Sequence, residues 1–166
     1  MNEIDAADEF VESRKRPVGE ADWIEGNRPS RFRIEWPLHI DGASSDGRLI
    51  IQADTNMKPL SYAVIVELGG RPISRLDYNL TDEHVNPAKG PRDLRKQVIN
   101  GPHAHLWNDN RGRMTGSAVP KTLPLARPIP EQHSDFGAVF EWFCEMNNVA
   151  CDRSLIPIVP TQLKLI

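Results

Sequence analysis

The sequence predicts an α+β domain in which an antiparallel sheet of about five or six strands carries one main C-terminal helix. Two observations indicate this class. Short runs typical of strands occupy residues 31–107, and one stretch with helical period occupies residues 134–147. A length of 166 residues suits one core, so residues 1–166 are expected to form a single domain.

Residues 1–30 are expected to form a peripheral N-terminal arm. Four apolar residues at helical spacing predict one short amphipathic helix in it, namely Ile4, Ala7, Phe10 and Val11. The apolar side of this helix is expected to dock onto the body of the same chain. A partner protein is the alternative occupant of that side.

The body opens with a strand in which apolar and polar residues alternate strictly from Phe32 to Ile40. This alternation indicates one face in the core and one face in water. Pro37 has no N–H to donate, so the strand is expected to lie at a sheet edge or to contain a bulge. Residues 41–47 have turn composition and predict a loop, and residues 48–53 predict the second strand.

The centre of the sheet is predicted to be a hairpin. Residues 62–68 form a nearly continuous apolar run, which is typical of a strand covered on both faces. Gly69-Gly70 is a turn signal and leads directly into a strand at residues 73–79. A polar excursion with a short helix at residues 91–99 then precedes another strand at residues 102–107.

The last part of the chain combines a Pro-rich connection at residues 116–130 with the main helix at residues 134–147. Ser134 is the expected N-cap of this helix. Its apolar stripe is expected to cover the core face of the sheet and comprises Phe136, Val139, Phe140, Phe143 and Met146. The tail, residues 155–166, is expected to end as an edge strand.

Composition limits the classes of function. The net charge of −3 and the pI of about 5.9 argue against non-specific coating of nucleic acid but are compatible with a local basic site. The apolar runs are strand-sized, well below the roughly 20 residues of a membrane helix, and the acidic N-terminus lacks a signal pattern. A cytoplasmic protein without membrane contact is therefore expected.

Two of the predicted strands would place polar side chains on one patch. Alternate residues of a strand share a face. The patch is expected to combine two sets of side chains, Arg75, Asp77 and Asn79 from one strand and His103, His105 and Trp107 from the other. A basic group, a carboxylate and imidazoles that converge on one face indicate a site rather than a core.

The histidines of this patch suit proton transfer. Imidazole has a pKa near 6.5, so His103 and His105 are expected to divide proton transfer between a nucleophile and a leaving group. Asp77 is expected to orient one imidazole and to fix its tautomer. His84 lies near the start of the polar excursion and is expected to close over the site.

Basic residues around the patch suit a phosphate group. Arg75 offers a fixed charge that matches phosphate oxygens, and Lys89 and Arg92 extend the basic group between the two strands. An RNA 2′-hydroxyl is a nucleophile that this set of residues can serve without a metal. The sequence therefore predicts a metal-independent, ribonuclease-like enzyme that acts on RNA and needs no cofactor.

Two other interpretations of the same residues stay open. His-x-His on a strand, with a third histidine and a carboxylate, also suits zinc and would make the protein a metal-dependent hydrolase. In the second interpretation, Arg75 and Asp77 form a surface ion pair and the histidines are half-buried structural residues. The sequence contains no Walker, GxGxxG, GxSxG or HExxH motif, which argues against the classes defined by those motifs.

The order of these motifs resembles a known pattern. Three segments carry the resemblance: Arg75-x-Asp77, His84-Val85-Asn86-Pro87 and Gly101-Pro102-His103-Ala104-His105. They resemble small, largely uncharacterised proteins of bacteria and their mobile elements, and are similar to TumE-type toxins of toxin–antitoxin pairs. The resemblance implies a compact α+β toxin-like domain that acts on RNA or the translation apparatus and has a partner antitoxin.

A binding function is the alternative to catalysis. In this interpretation the protein is a phage or mobile-element inhibitor that occupies a host protein. The N-terminal arm and the tail would form the interface, and the histidines would be structural.

Overall fold

The computed structural model describes residues 1–160 and is built around one antiparallel sheet. The ten strands of this part of the chain are β1 (Lys15–Pro17), β2 (Ile24–Glu25), β3 (Arg31–Ile40), β4 (Ala43–Asp54), β5 (Ser61–Leu68), β6 (Arg71–Tyr78), β7 (Glu83–Val85), β8 (Val98–Asn100), β9 (His103–His105) and β10 (Arg127–Pro128). Its α-helices are α1 (Glu3–Glu12), α2 (Trp107–Arg111) and α3 (Phe136–Met146), and a 3₁₀ turn covers Arg153–Leu155. None of these helices is long and apolar enough to cross a membrane.

The main sheet has eight strands, in the order β1-β3-β4-β5-β6-β9-β10, and β2 also pairs with β3. All of these pairings are antiparallel, and β7 and β8 form a separate two-stranded sheet. The predicted α+β class with a C-terminal helix is therefore confirmed. The sheet is larger than predicted because β1, β2 and β10 are only two or three residues long, too short for an alternation to be visible.

The inner face of the sheet is the core because apolar residues align across the strands. One row consists of Ile34, Ile51, Val64, Leu76 and Ala104, each at most 1% exposed. Helices α1 and α3 contribute buried apolar residues to the same cluster. Burial of each large side chain contributes about 1.5–3 kcal/mol, and a shift of one residue would expose the whole row, so this row fixes the register.

Residues 1–30, predicted as a peripheral arm, contribute directly to the core. The four apolar residues of α1 are buried in the main cluster, and β1 pairs with β3. Lys15 is 1% exposed, and its Nζ donates to the carbonyls of Phe10, Val11 and Ser13 at 2.5, 3.3 and 2.6 Å. These bonds satisfy carbonyls at the C-terminal end of α1. Docking of the predicted helix onto its own chain is therefore confirmed.

Two long hairpins turn on residues with positive φ. Asp41 and Gly42 have φ values of 50° and 81°, and Gly69 and Gly70 have values of 56° and 79°. Such two-residue turns match the twist of the flanking strands. The predicted Gly69-Gly70 hairpin is confirmed. The loop predicted over residues 41–47 is wrong, because the turn uses only its first two residues and β4 follows at once.

The irregularity that Pro37 predicts is present as a bulge, since the register of β3 against β4 shifts between Pro37 and His39. Helix α3 lies close to its predicted position. Its N-cap is Asp135 rather than Ser134, because the Asp135 carboxylate accepts a hydrogen bond from the Ala138 N–H at 2.9 Å.

Other predictions for the second half of the chain need correction. Residues 91–99 form turns that lead into β8, not a helix. The strand predicted at residues 102–107 is shorter, since Trp107 already belongs to α2. The Pro-rich connection contains β10, which pairs with β9. The edge strand predicted in the tail falls partly on residues 161–166, which lie outside the described residues.

Candidate active site

The predicted polar patch lies on the outer face of the sheet, opposite the core face, where β6 and β9 are neighbours. Arg75 stands opposite His105, and Asp77 stands opposite His103. The inferred adjacency of these two strands is therefore confirmed. The residues between them in sequence belong to the core, so the alternation of each strand sets the polar residues on the outer side.

His84 joins the two strand histidines from β7, and the three rings are in mutual contact. The ring centroid of His84 lies 5.1 Å from that of His103 and 4.8 Å from that of His105. The centroids of His103 and His105 are 5.2 Å apart. One nitrogen from each ring lies within 4.8 Å of the others. We call these three residues the histidine cluster. Its residues are the candidates for holding a metal ion within residues 1–160.

A buried asparagine fixes the tautomer of His84. The Nε2 atom of His84 lies 3.1 Å from Asn86 Oδ1 and 3.1 Å from the Pro124 carbonyl oxygen. The Asn86 amide has a defined orientation, because its Nδ2 donates to the carbonyls of Leu94 and Ala126 and its Oδ1 accepts from the Ala126 N–H. Both partners of His84 Nε2 are thus acceptors. This nitrogen carries the proton, and Nδ1 has a free lone pair.

The backbone fixes the tautomer of His103. Its Nδ1 lies 2.9 Å from the Gly101 carbonyl oxygen, which can only accept, so Nδ1 carries the proton and Nε2 has the lone pair. The ring is 2% exposed. Gly101 has a φ of 87°, a conformation that favours glycine, so the turn that presents this carbonyl depends on the residue type.

His105 is the least satisfied member of the cluster. Its Nδ1 is buried and has no hydrogen-bond partner among residues 1–160. Burial lowers the pKa of His105 to about 4; the Asp77 carboxylate and a hydrogen bond with the Leu123 backbone oppose this shift, and the two neighbouring imidazoles add to it. The ring is therefore neutral near physiological pH and offers a lone pair.

Asp77 acts on the rings through its charge. Its Oδ2 lies 3.7 Å from His105 Nε2 and 3.9 Å from His103 Nε2, which is too long for direct hydrogen bonds. Arg75 holds the carboxylate instead, since its Nε donates to the two oxygens at 2.8 and 3.0 Å and its Nη2 lies 2.7 Å from Oδ1. The predicted orienting role thus has no direct hydrogen bond to support it.

A groove of about 710 Å³ runs along the outer face beside the histidine cluster, and none of the three histidines is among its lining residues. Arg75, Asp77 and Asn79 line it together, as their predicted common face requires, and it reaches across the sheet to the start of β3. Its other charged lining residues are Arg28, Arg31, Arg33, Asp54 and Asp82. A volume in this range suits a small-molecule or nucleotide-sized ligand.

Three predicted residues do not join the patch. Lys89 and Arg92 are exposed on the loop between β7 and β8, and within the described residues neither lines the groove nor bonds to the histidine cluster. The Arg113 guanidinium donates to the Lys89 carbonyl and ties that loop to the segment after α2. Trp107 is 1% exposed in the core, and its Nε1 donates to Asp8 at 2.7 Å.

Two asparagines that had no predicted role hold the wall of the site. Asn110 brackets Leu125 as Asn86 brackets Ala126: its Nδ2 donates to the Leu125 carbonyl and its Oδ1 accepts from the Leu125 N–H, both at 2.9 Å. We call Asn86 and Asn110 the asparagine clamps. The position of Asn86 two residues after His84 was the available signal, and an asparagine in a turn-like stretch gave none for Asn110.

The fold and the site define an α+β protein with a largely buried histidine cluster on the outer face of an antiparallel sheet. The chain belongs to the family described as Family of unknown function (DUF6978), whose model matches residues 5–149. The matched region contains the histidine cluster, both asparagine clamps and the groove. Comparison with curated proteins and comparison with solved structures each gave no match.

Proposed function

We propose that the protein is an RNA-cleaving enzyme of the toxin type, with its active site on the outer face of β6 and β9. The observation that carries the proposal is the register that sets Arg75 against His105 and Asp77 against His103, with His84 in contact with both rings. Charge and proton transfer are available at one place in this arrangement. The order of these residues along the chain, similar to that of TumE-type toxins, supports the same function.

The cleavage step needs one group that takes a proton and one that returns it. In the proposed reaction, the neutral ring of His105 takes the proton of an RNA 2′-hydroxyl. The 2′-oxygen forms a bond to phosphorus, and the bond from phosphorus to the 5′-oxygen breaks. His103, which enters this step as an imidazolium with protons on both Nδ1 and Nε2, gives its Nε2 proton to the 5′-oxygen, which leaves as a hydroxyl, and His103 is left as the neutral tautomer held by the Gly101 carbonyl. Two histidines thereby suffice for a balanced transesterification.

The groove supplies the place for the substrate. It contains Arg75 beside the cluster and three further arginines toward β3, so phosphates on both sides of the cleaved bond would meet guanidinium groups. Arg75 is 45% exposed although it is paired with Asp77, so its remaining donors are open to an incoming phosphate. We therefore propose that Arg75 and the groove, rather than Lys89 and Arg92, bind the phosphate.

The alternative of a binding protein that uses a free N-terminal arm has less support. The apolar side of α1 is buried against the sheet, and β1 is paired with β3. Deletion of residues 1–29 would therefore open the core. Loss of activity after that deletion would report unfolding, so it would not demonstrate an interface.

The proposal is tested by expression in bacteria and by incubation of purified protein with RNA. We expect the wild type to arrest growth and to cleave RNA. The double variant His103→Ala/His105→Ala is expected to be folded and to do neither. The matched control is His39→Ala/His133→Ala, which removes the two histidines outside the cluster and should behave as the wild type.

Circular dichroism and thermal unfolding establish that both double variants are folded before activity is compared. Arrest and cleavage by the folded cluster variant would overturn the proposal. An inert wild type that neither arrests growth nor cleaves RNA would overturn it as well.

A further inference from the structure

We propose that His84, His103 and His105 together bind one divalent transition-metal ion of the zinc type. The proposal goes beyond RNA cleavage, because it concerns the ion-bound form of the protein. In that form the lone pairs of His103 and His105 are occupied, so the proton transfer proposed above belongs to the ion-free form. Its basis is the convergence of three imidazoles whose nitrogens lie within 4.8 Å of one another. Imidazole nitrogen is a preferred ligand of zinc and of its first-row neighbours.

The free lone pairs of two rings are set by groups behind them. The Gly101 carbonyl accepts from Nδ1 of His103, and Asn86 and Pro124 accept from Nε2 of His84. Metal-ligating histidines usually donate their second N–H to a backbone carbonyl or a carboxylate in this way, which fixes the ring and raises its basicity. Both rings are thus held in the tautomer that a metal requires.

The third ring, His105, has a nitrogen without a hydrogen-bond partner. This nitrogen is available either to bind the ion or to change its contacts when the ion binds. Nδ1 of His105 is buried without a hydrogen-bond partner among residues 1–160, and its Nε2 faces the Asp77 carboxylate at 3.7 Å. A buried polar nitrogen without a partner destabilises the folded chain. A bound ion removes this penalty, and the carboxylate behind the ring would stabilise the positive charge that the ion brings.

The geometry allows an ion after a small contraction. Zinc–nitrogen bonds of about 2.0–2.1 Å in a tetrahedral site place ligand nitrogens about 3.4 Å apart, so the longest nitrogen pair must close by about 1.4 Å or less. His84 lies on a short strand of the small β7–β8 sheet, whereas His103 and His105 lie on β9 of the main sheet, so the adjustment is a movement between these two sheets. Three histidines leave a fourth position open for water or substrate.

The test uses the full-length chain without a histidine tag, stripped with a chelator and then titrated with Co²⁺ and with Zn²⁺. We expect one Co²⁺ per chain with the absorption spectrum of a tetrahedral site, displacement of Co²⁺ by Zn²⁺, and a rise in the unfolding temperature with either ion. Elemental analysis of the protein gives the stoichiometry without any assay of activity.

Variants locate the ion. His105→Ala and His84→Ala are each expected to weaken Co²⁺ binding more than about 100-fold, since loss of a group behind a ligand already weakens binding by about 10–100-fold. His39→Ala and His133→Ala are the matched controls and should bind as the wild type. His84→Asn serves as a second variant if alanine disturbs the loop.

Two results would overturn the inference: absence of stoichiometric binding by the folded wild type, and equal binding by cluster variants and controls. The outcome is separable from that of the RNA experiment. Stoichiometric binding with no RNA cleavage supports the ion site and sinks the proposed function. RNA cleavage by a chain that binds no ion would support the proposed function and overturn the ion site.

Discussion

The asparagine clamps are buried and the histidine cluster is largely buried, and both are polar, yet they are built in opposite ways. Asn86 uses both amide protons and its oxygen, with partners in the backbone of Leu94 and Ala126 and in the ring of His84. His105, by contrast, has a buried nitrogen without a partner among residues 1–160. Buried polar groups in proteins are almost always hydrogen-bonded.

The contrast separates structure from function. A satisfied polar group stabilises one arrangement of the chain, as the clamps do for the segment at Leu125 and Ala126. Unsatisfied groups with perturbed pKa values, surrounded by similar groups, are concentrated at functional sites. We therefore assign the clamps to the fold and propose the cluster as the site. The following experiments test this division, from the largest expected effect to the smallest.

Replacement of His105 by asparagine should affect function far more than stability. We expect RNA cleavage to fall by about 10²–10⁴-fold, the usual contribution of a general base. The free energy of unfolding should fall by less than it does on replacement of Asn86, because the buried Nδ1 makes no hydrogen bond that could be lost and the ring's one backbone hydrogen bond is that with Leu123. Cleavage rates and urea unfolding of the same preparation measure both quantities. A large loss of stability would show that His105, like the asparagine clamps, contributes mainly to the stability of the fold.

Replacement of Asn86 by leucine should affect stability more than function. It removes hydrogen bonds to the Leu94 carbonyl and to the N–H and carbonyl of Ala126, and the Leu94 carbonyl still accepts from the Gln97 N–H. Each of the two Ala126 groups left unsatisfied costs about 1–3 kcal/mol, so we expect a loss of about 2 kcal/mol or more in the free energy of unfolding. Urea unfolding measures it. Asn108→Leu, at an exposed position of α2, is the matched control and should stay within about 0.5 kcal/mol. Equal stability of the two variants would contradict the role of the clamp.

Lys15 extends the comparison to a group that is satisfied but charged. Its carbonyl partners carry no negative charge, and burial lowers the pKa of Lys15 from 10.5 to about 8. Between pH 8 and pH 10.5 the unfolded chain holds a proton that the folded chain has released, so stability from this group rises with pH across that window. The gain reaches up to about 3 kcal/mol at the upper end.

The measurement is the difference in free energy of unfolding between the wild type and Lys15→Met across the same window. The variant cancels the titration of all other groups, which both proteins share. We expect the difference to shift toward the wild type as pH rises. A difference that is independent of pH would mean that the amine keeps its proton in the folded chain.

Much of the fold follows from patterns that the sequence displays directly. Strand β3, the hairpin at Gly69-Gly70 and helix α3 could be predicted because each has a complete hydrophobic period or a turn that demands positive φ. The site could be predicted as far as β6 and β9 pair, since alternation then brings Arg75, Asp77 and the strand histidines to one face.

The remaining features depend on distant contacts. Strands of two or three residues, such as β10, carry no period and form because a neighbour offers hydrogen bonds. Trp107 continues the alternation of β9 in the sequence. However, α2 begins at that residue, and the indole lies in the core. Burial of Asn86 and Asn110 results from carbonyls some distance away in sequence, for which local composition gives no sign.

The carboxamide groups of Asn86 and Asn110 also provide signals that NMR spectroscopy can follow. Each Nδ2 donates both of its hydrogens to backbone carbonyls in a buried place, so its two proton resonances should be well dispersed and slow to exchange with deuterium. Selective ¹⁵N labelling of asparagine would isolate them from the rest of the spectrum. Because the Asn86 oxygen contacts the ring of His84, its signals would register the arrival of any ligand at the neighbouring imidazoles.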